Sequence, residues 1–251
     1  KERFEEAGYS VAHGIIDSLW VQENEETENF ERVCEEISEE IGIELEPEYK
    51  FEWCAFVPRS SSDANIATLN RYFGKKQNGE FKTAGIEVEQ KSTCQYVKDC
   101  QMEMIEALDR NMEAGTVIRR LEKQIEKLEA FEVSVQDLVK QKKTSKPLEA
   151  YQVNNRSVSA LKRAESHGME MKPGQSVRFV VRDDDADAMD RTRLDFEAQE
   201  GEYDPGFYKT ELIRAAESIL SPLGLDREDI RRRLSDSEKS TLQQFQTKQA
   251  L

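Results

Sequence analysis

The spacing of apolar residues predicts mixed strand and helix structure over the first 92 residues. Short runs at 9–13 and 18–22 have strand-like composition and flank the tight link Gly14-Ile15-Ile16-Asp17, which predicts a β-hairpin. From residue 26 to residue 41, apolar side chains recur at steps of three and four, as on one face of an amphipathic helix that ends at Gly42. The other strand-like runs of this half are 49–57, 70–74 and 86–89.

Beyond residue 92 the same spacing predicts mainly helices. Asp204-Pro205 is a strong helix start, because Asp caps free amides and proline is tolerated in the first turn. That helix is expected to reach Leu220, and a short one to begin at Asp226. Further helices are predicted at 93–112, 116–130 and 156–167, with a strand at 176–182. Loops are predicted for the basic segment 140–147 and the Asp-rich segment 183–204.

These patterns together predict an α+β fold. We expect an antiparallel sheet with packed helices over residues 1–92, followed by a mostly helical domain over residues 93–233. The last segment, 234–251, is polar and is expected to form a loose tail.

Charge is distributed unevenly along the 251 residues. The formal net charge is −15, from 36 basic and 51 acidic side chains. Residues 22–52 carry −11 and residues 183–204 carry −8, so the rest of the chain is net +4. Because charges are screened beyond about 8–10 Å at moderate salt, an acidic protein can keep basic faces. The balance therefore does not exclude a nucleic-acid partner, although solvated helix faces explain any single charged segment as well.

Several other classes of function find little support in the residues. Apolar runs of about 18 residues do not occur, so no membrane span is expected. Four cysteines without a C-x-x-C pair and two separated histidines predict neither a zinc site nor a nucleophilic catalytic triad. Reduced, partly buried thiols are expected instead. The chain opens at Lys1 without Met or a signal peptide, so we expect a cut through a longer protein.

One phrase near the start carries candidate chemistry. Residues 7–21 read Ala-Gly-Tyr-Ser-Val-Ala-His-Gly-Ile-Ile-Asp-Ser-Leu-Trp-Val. This phrase resembles the family B DNA polymerases at their Tyr-Gly-Asp-Thr-Asp-Ser signature. His13, Gly14, Asp17 and Ser18 fall on that pattern, with His13 at the position of the Tyr. The resemblance implies that Asp17 is a catalytic carboxylate and a ligand of a two-metal Mg²⁺ site for phosphoryl transfer.

The resemblance continues in order over about residues 3–233, and it implies the C-terminal part of the polymerase palm followed by the thumb. The acidic segment Glu44-Leu45-Glu46-Pro47-Glu48 resembles one that supplies auxiliary carboxylates, so Glu46 and Glu48 are expected as further metal ligands. The family's Lys-Lys-x-Tyr-x-Gly strand resembles Asn70-Arg71-Tyr72-Phe73-Gly74. The family's thumb motifs resemble Arg156-Ser157-Val158-Ser159-Ala160, Met171-Lys172-Pro173-Gly174 and Tyr203-Asp204-Pro205.

Candidate DNA contacts follow from these matches and from the basic segments. A basic residue beside an aromatic one suits backbone contact with packing or stacking below, and a lysine-rich loop suits nonspecific phosphate binding. The candidates are Arg71, Tyr72, Lys75, Lys91, Lys142, Lys143 and Arg156. Strand core for Tyr72 and an exposed linker for the lysine loop are alternatives that the residues leave open.

The departures from the family pattern lie where the chemistry is expected. The first Asp of the signature is replaced by Ile15 and the Thr by Ile16, while His13 replaces Tyr. Apolar side chains cannot coordinate Mg²⁺, so the two-metal site is expected to be weakened. The pattern resembles the divergent archaeal branch of family B, which is often regarded as having a degraded active site.

Three hypotheses follow. The chain is part of a DNA polymerase used in replication or repair, or it is part of a catalytically impaired homologue that binds DNA as an accessory protein. The third alternative is an acidic α+β domain without a nucleic-acid partner. Under the first two, the expected partners are primer-template DNA, a deoxynucleotide triphosphate, the upstream polymerase portion and a sliding clamp, in the cytoplasm near the nucleoid.

Overall fold

The computed structural model describes residues 1–15, 18–59 and 67–236. The chain divides into two compact units, the first formed by residues 1–53 and 76–80 and the second by residues 54–75 and residue 81 onward. Three small antiparallel sheets and several helices confirm the α+β class predicted from the sequence. The division at residue 92 stays a prediction.

The described residues form the following strands and helices. The strands are β1 (Ser10–Ile15), β2 (Ser18–Gln22), β3 (Phe51–Pro58), β4 (Ala67–Lys76), β5 (Phe81–Ala84), β6 (Lys140–Lys143), β7 (Ser176–Val181) and β8 (Thr192–Leu194). The helices are α1 (Glu2–Glu6), α2 (Phe30–Ile41), α3 (Gln95–Asp109), α4 (Ala114–Glu129), α5 (Arg156–Ser166), α6 (Pro205–Leu220) and α7 (227–236). Within the described ranges, no helix has the length and apolar character that a bilayer crossing requires.

The first unit is built on the predicted hairpin and the predicted amphipathic helix. β1 and β2 pair antiparallel in the order β1-β2, with an irregularity between Val11 and His13. Asn29 caps α2 by accepting the Arg32 N–H at 2.9 Å, and Gly42 ends the helix in the left-handed conformation with φ 71°. The apolar face of the helix closes a small core of Phe4, Ala7, Tyr9, Val33, Cys34 and Ile37.

One strand prediction is wrong at the sheet of order β3-β4-β5. Residues 87–89 form a 3₁₀ turn rather than a strand, and β5 instead lies upstream and pairs with β4 from Tyr72 to Lys75. Gly85 redirects the chain between them with φ +62°. A Cβ at Gly85 would lie 2.4 Å from the Asn70 carbonyl oxygen, so only glycine fits this close approach.

The helical core of the second unit forms where the apolar spacing predicts it. α3, α4 and α6 pack on one another around side chains that are fully removed from solvent. These include Met104, Ile105, Leu121, Leu128 and Leu212. Each such burial contributes about 1.5–3 kcal/mol relative to exposure. Helix α6 begins at Pro205 and ends at Leu220, as predicted, with Asp204 accepting the Phe207 N–H at 3.0 Å.

The basic segment predicted as a loop is in part a strand. β6 pairs antiparallel with β7, and β7 pairs with β8, which lies inside the Asp-rich segment also predicted as a loop. The central strand β7 buries Val177, Phe179 and Val181, and its two edges need hydrogen-bond partners. Four polar lysine-rich residues supply one of those partners, although their composition does not indicate a strand.

The predicted polar tail lies largely outside the described residues. Its first three residues continue α7, and Leu234 is buried. Residues 237–251 lie outside the described ranges.

Candidate nucleic-acid interface

The hairpin of the first unit carries the predicted catalytic phrase. Its pairing runs from Ser10 opposite Gln22 to Ile15 opposite Ser18, and two residues stand between these strands in the sequence. Those two residues, Ile16 and Asp17, lie outside the described ranges. The catalytic and metal-binding roles of Asp17 therefore stay predictions.

The predicted auxiliary carboxylates lie on an exposed segment between α2 and β3. Leu45 turns inward and its backbone N–H donates to Ser38 Oγ at 2.9 Å, while Glu46 and Glu48 on either side of Pro47 are exposed. Among the described residues, no three His, Cys, Asp or Glu side chains come close enough together to hold a metal ion. The described carboxylates thus do not by themselves fit a Mg²⁺ site.

The three candidates on β4 do not share one face of the strand. Side chains alternate along a strand, so Arg71, Phe73 and Lys75 point one way and Tyr72 points the other. Phe73 is fully buried, and Lys75 Nζ lies 2.9 Å from Asp109 Oδ2 on α3. Arg71 reaches Ser218 on α6, whereas the Tyr72 ring lies 5.9 Å from the Phe56 ring. The face of Arg71 and Lys75 is therefore directed at helices.

The candidate lysines beyond β5 are exposed. Lys91 lies in the turn before α3, and Lys142 and Lys143 lie on the edge strand β6. β6 pairs with β7 so that Lys142 is opposite Val177, a buried residue of β7. Lys143 is opposite Ser176. Neighbouring strand residues point to opposite faces, so Lys142 and Lys143 offer charge in two directions rather than one. Lys140 instead pairs with Glu211 at 2.5 Å.

Arg156 is paired with a carboxylate of the Asp-rich segment. It is the first residue of α5, and its guanidinium donates two hydrogen bonds to Asp184, with Nε 2.6 Å from Oδ1. The guanidinium also lies 4.5 Å from the centre of the Phe207 ring. The hydrogen bond raises the pKa of Arg156 and lowers the pKa of Asp184. A phosphate at Arg156 would therefore have to displace a bidentate carboxylate.

Other arginines of the second unit are matched to the same acidic segment. Glu202 Oε1 lies 3.1 Å from the Nε atoms of both Arg182 and Arg193, and Asp195 lies 2.9 Å from Arg178. Arg163 pairs with Glu197. The sequence predicted only an Asp-rich loop here. The structure shows instead that much of its charge is balanced locally, a pairing that sequence reasoning missed because the partners lie up to 34 residues apart.

A buried polar cluster in the second unit was also missed from the sequence. Glu87 is only 4% exposed, and its carboxylate accepts from Gln101 Nε2 at 2.9 Å. Two guanidinium groups, of Arg71 and Arg214, lie at 3.8 Å and 3.5 Å from Oε1. The signal in the sequence was a Glu directly after the buried Ile86, within a segment otherwise expected to be a strand.

Comparison with known proteins relates the chain distantly to DNA polymerases of family B. No protein-family model matches it. The DNA polymerase of Thermococcus kodakarensis is 23% identical over 235 residues, which are 92% of this chain and 14% of that protein. The DNA polymerase of Thermococcus sp. strain 9oN-7 is also 23% identical over 235 residues, covering 30% of that protein.

A solved structure has a similar fold. The family B DNA polymerase from the hyperthermophilic archaeon Pyrobaculum calidifontis matches with a TM-score of 0.64 at 22% identity, over 87% of this chain and 27% of that one. The chain thus spans less than a third of the length of these relatives. The distant relationship to family B polymerases over most of the chain agrees with the resemblance seen in its motifs.

Proposed function

We propose that the chain is the palm end and thumb of a family B-type DNA polymerase, and that it binds primer-template duplex through the phosphate backbone. The similarity to DNA polymerases over 92% of the chain carries this proposal. In it, residues 1–92 belong to the palm and residues 93–233 to the thumb. The incoming deoxynucleotide triphosphate and the remaining polymerase portion, in the same polypeptide or a partner chain, complete the working enzyme.

Exposed lysines of the second unit support the duplex-binding part of the proposal. Lys91, Lys142 and Lys143 are exposed and can approach phosphates without giving up a buried contact. Lysine–phosphate contacts release counterions, which gives affinity without sequence preference. Arg156 joins them by exchanging Asp184 for a phosphate, and Tyr72 supplies a half-buried aromatic surface beside the strand.

A double variant tests the lysine contacts. Lys142→Ala with Lys143→Ala is expected to lower the salt dependence of duplex binding, reducing the slope of log K against log salt by about 0.9 for each phosphate that the variant no longer neutralises. Lys127→Ala, an exposed lysine on α4, is the control and should leave the slope nearly unchanged. Equal slopes for the double variant and the control would exclude these lysines as phosphate contacts.

Asp17 is the carboxylate that this chain would bring to a two-metal Mg²⁺ site, with Glu46 and Glu48 as auxiliary candidates. The described carboxylates do not gather into a metal site, so the remaining ligands would have to come from the rest of the polymerase. In this proposal the chain itself contributes duplex binding and the segment that contains Asp17.

A catalytically impaired DNA-binding homologue is the second candidate function. The observation that favours it is the pair Ile15-Ile16 at the hairpin link, where the family signature has Asp and Thr. Loss of a charge beside the metals would cost orders of magnitude in rate, since each 1.36 kcal/mol of barrier is about tenfold. Duplex binding would survive this loss, because it does not depend on the hairpin link.

Primer extension by the full-length protein separates the two functions. Extension that Asp17→Ala abolishes supports a polymerase, with Asp17→Glu as the charge-preserving control. Absence of extension together with intact duplex binding supports the accessory role. A sliding clamp as partner, a place in replication or repair, and a cytoplasmic, nucleoid-associated location all belong to the same proposal and depend on its outcome.

A further inference from the structure

Glu87 is a buried carboxylate at the meeting point of several elements of the second unit. It lies in the 3₁₀ turn after β5, and 4% of it is exposed. An ionised carboxylate is costly to bury unless charges and hydrogen bonds compensate for lost water. The groups around Glu87 must therefore supply the charges and hydrogen bonds that replace water.

The neutral part of the compensation comes from Gln101 on α3, which also bonds α6. The Gln101 side-chain amide donates to Glu87 Oε2 at 2.9 Å and to the Ala215 carbonyl of α6 at 3.0 Å. The Gln101 side-chain oxygen accepts the Val88 N–H at 2.7 Å. One fully buried amide thus ties α3, α6 and the turn of Glu87 together.

The positive charge comes from Arg71 on β4 and Arg214 on α6. The Arg71 guanidinium lies 3.8 Å from Glu87 Oε1, donates from Nε to the Gly85 carbonyl at 3.2 Å, and donates from Nη2 to Ser218 Oγ at 3.0 Å. Arg214 Nε lies 3.5 Å from the same Glu87 oxygen. The Arg71 donors are therefore directed at the protein, and a planar fork of this kind cannot be reproduced by lysine.

We propose that Arg71 is a positioning residue that, through Glu87, Gln101 and Ser218, fixes α6 against β4, rather than a contact to DNA phosphate. This inference rests on the proposed duplex binding for its functional consequence. If α6 and its neighbours form part of the surface that grips DNA, the Glu87 cluster sets the orientation of that surface without touching the ligand.

A double-mutant cycle on the 251-residue chain tests the cluster itself. Arg71→Ala and Glu87→Gln should each lower the melting temperature, and the double variant should lose less than the sum of the two, because both remove the same interaction. Ser218→Ala is a milder variant that should also be non-additive with Arg71→Ala. Arg110→Ala, an exposed arginine of the same unit, matches the loss of charge and should be additive with Glu87→Gln. Additive losses between Arg71 and both partners would overturn the proposal.

Duplex binding of the same variants tests the positioning role. Arg71→Ala should weaken binding several-fold at low temperature, where the chain stays folded, and leave the salt slope equal to that of Arg110→Ala. Arg71→Lys should not rescue the affinity. If the salt slope of Arg71→Ala is smaller in magnitude than that of the control by about 0.9, Arg71 contacts a phosphate and the proposal is overturned. Unchanged affinity and slope would overturn it too, since the cluster would then serve stability alone.

The outcome for wild type separates this inference from the proposed function. If the wild-type chain does not bind duplex, duplex binding fails, and the melting cycle alone then decides whether Arg71 and Glu87 link β4 to α6. If wild type binds and the Arg71 variants behave otherwise than expected, only the positioning role fails.

Discussion

At the scale of single residues, carboxylates define how the second unit is held together. Asp184 accepts two hydrogen bonds from Arg156, and its backbone N–H donates to Asp204 Oδ2 at 2.9 Å. Asp204 in turn caps α6. Two acidic side chains of the segment predicted as an Asp-rich loop thus connect the starts of two helices. Their energetic value differs, because one is a charge pair and the other is chiefly a cap.

The Arg156–Asp184 pair should make stability depend on acid. The hydrogen bond from Arg156 holds the pKa of Asp184 in the folded state below its usual value of 3.8. The stabilisation that the pair provides is therefore fully present above about pH 3.8, where Asp184 is ionised in both states. It is lost as the pH falls through the lowered pKa of the folded state. Urea midpoints measured from about pH 7 to about pH 3 should show wild type more stable than Asp184→Asn at neutral pH and the two converging in acid. A difference that stays constant with pH would contradict this.

The Asp204 cap should be separable from the charge of its side chain. Asp204→Ala leaves the Phe207 N–H of α6 and the Asp184 N–H without their acceptor, and we expect the free energy of unfolding to fall by about 1–2 kcal/mol. Asp204→Asn keeps an oxygen for the Phe207 N–H but turns an NH2 group toward the Asp184 N–H, so it should regain only the part of the stability that belongs to the cap. Chemical denaturation of the two variants decides the point. Equal losses would contradict the capping role and assign the effect to the charge of Asp204 and its contact with Asp184.

At the scale of elements, Tyr208 joins α6 to strand β7 and to the 3₁₀ turn Val135–Leu138 that precedes β6. Its side chain is fully buried, and its hydroxyl accepts the Val181 N–H at 3.0 Å and donates to the Leu138 carbonyl at 2.9 Å. Burial raises the pKa of this tyrosine well above its usual value, so it stays a neutral donor. One hydroxyl therefore satisfies two backbone groups from different elements.

Removing that hydroxyl should be costly. Tyr208→Phe leaves a buried N–H and a buried carbonyl unpaired, and we expect a loss of about 1–3 kcal/mol in the free energy of unfolding. Tyr151→Phe is the control, because its hydroxyl bonds Ser145 at the surface, where water can replace it. The control should change stability by less than about 0.5 kcal/mol. Similar losses in both variants would contradict the role assigned to Tyr208.

The same scale shows what sequence patterns can predict and why they fail elsewhere. The bounds of α6, Pro205 and Leu220, are predictable because its signals, an Asp cap followed by Pro and apolar spacing, are local. β6 was missed because a lysine-rich segment becomes a strand only through its partner β7, more than 30 residues away. The strand predicted at 86–89 failed because Gly85 turns the chain, and no local pattern reveals the Asn70 carbonyl against which it packs.

For the candidate site too, the sequence indicates local properties of residues but not their distant partners. Residue type indicated which side chains could meet phosphate; Lys91, Lys142 and Lys143 are exposed, and their contact with phosphate stays a prediction. It could not predict that Arg71, Lys75 and Arg156 already hold carboxylates or hydroxyls of the same chain, since those partners lie 147, 34 and 28 residues away. Asp17 lies outside the described residues, and its role stays a prediction.

At the scale of the whole molecule, ion pairs account for part of the excess of acidic side chains, which gives the chain a net charge of −15. Carboxylates of residues 183–204 pair with arginines of the second unit, whereas Glu46 and Glu48 of the first unit are exposed. Net charge is therefore a poor guide to the local potential near the exposed lysines. The proposed binding to the DNA backbone depends on that local potential. Salt screens the more distant acidic residues, so they change the potential near the lysines little.

Duplex binding by the 251-residue chain over a series of salt concentrations tests this account most directly. We predict measurable binding to primer-template DNA without sequence preference, with log K falling linearly as log salt rises and a slope of roughly −2 to −4 if two to four phosphates are neutralised. Absence of binding at low salt, or binding that does not weaken as salt is added, would contradict the proposal that this chain grips the DNA backbone.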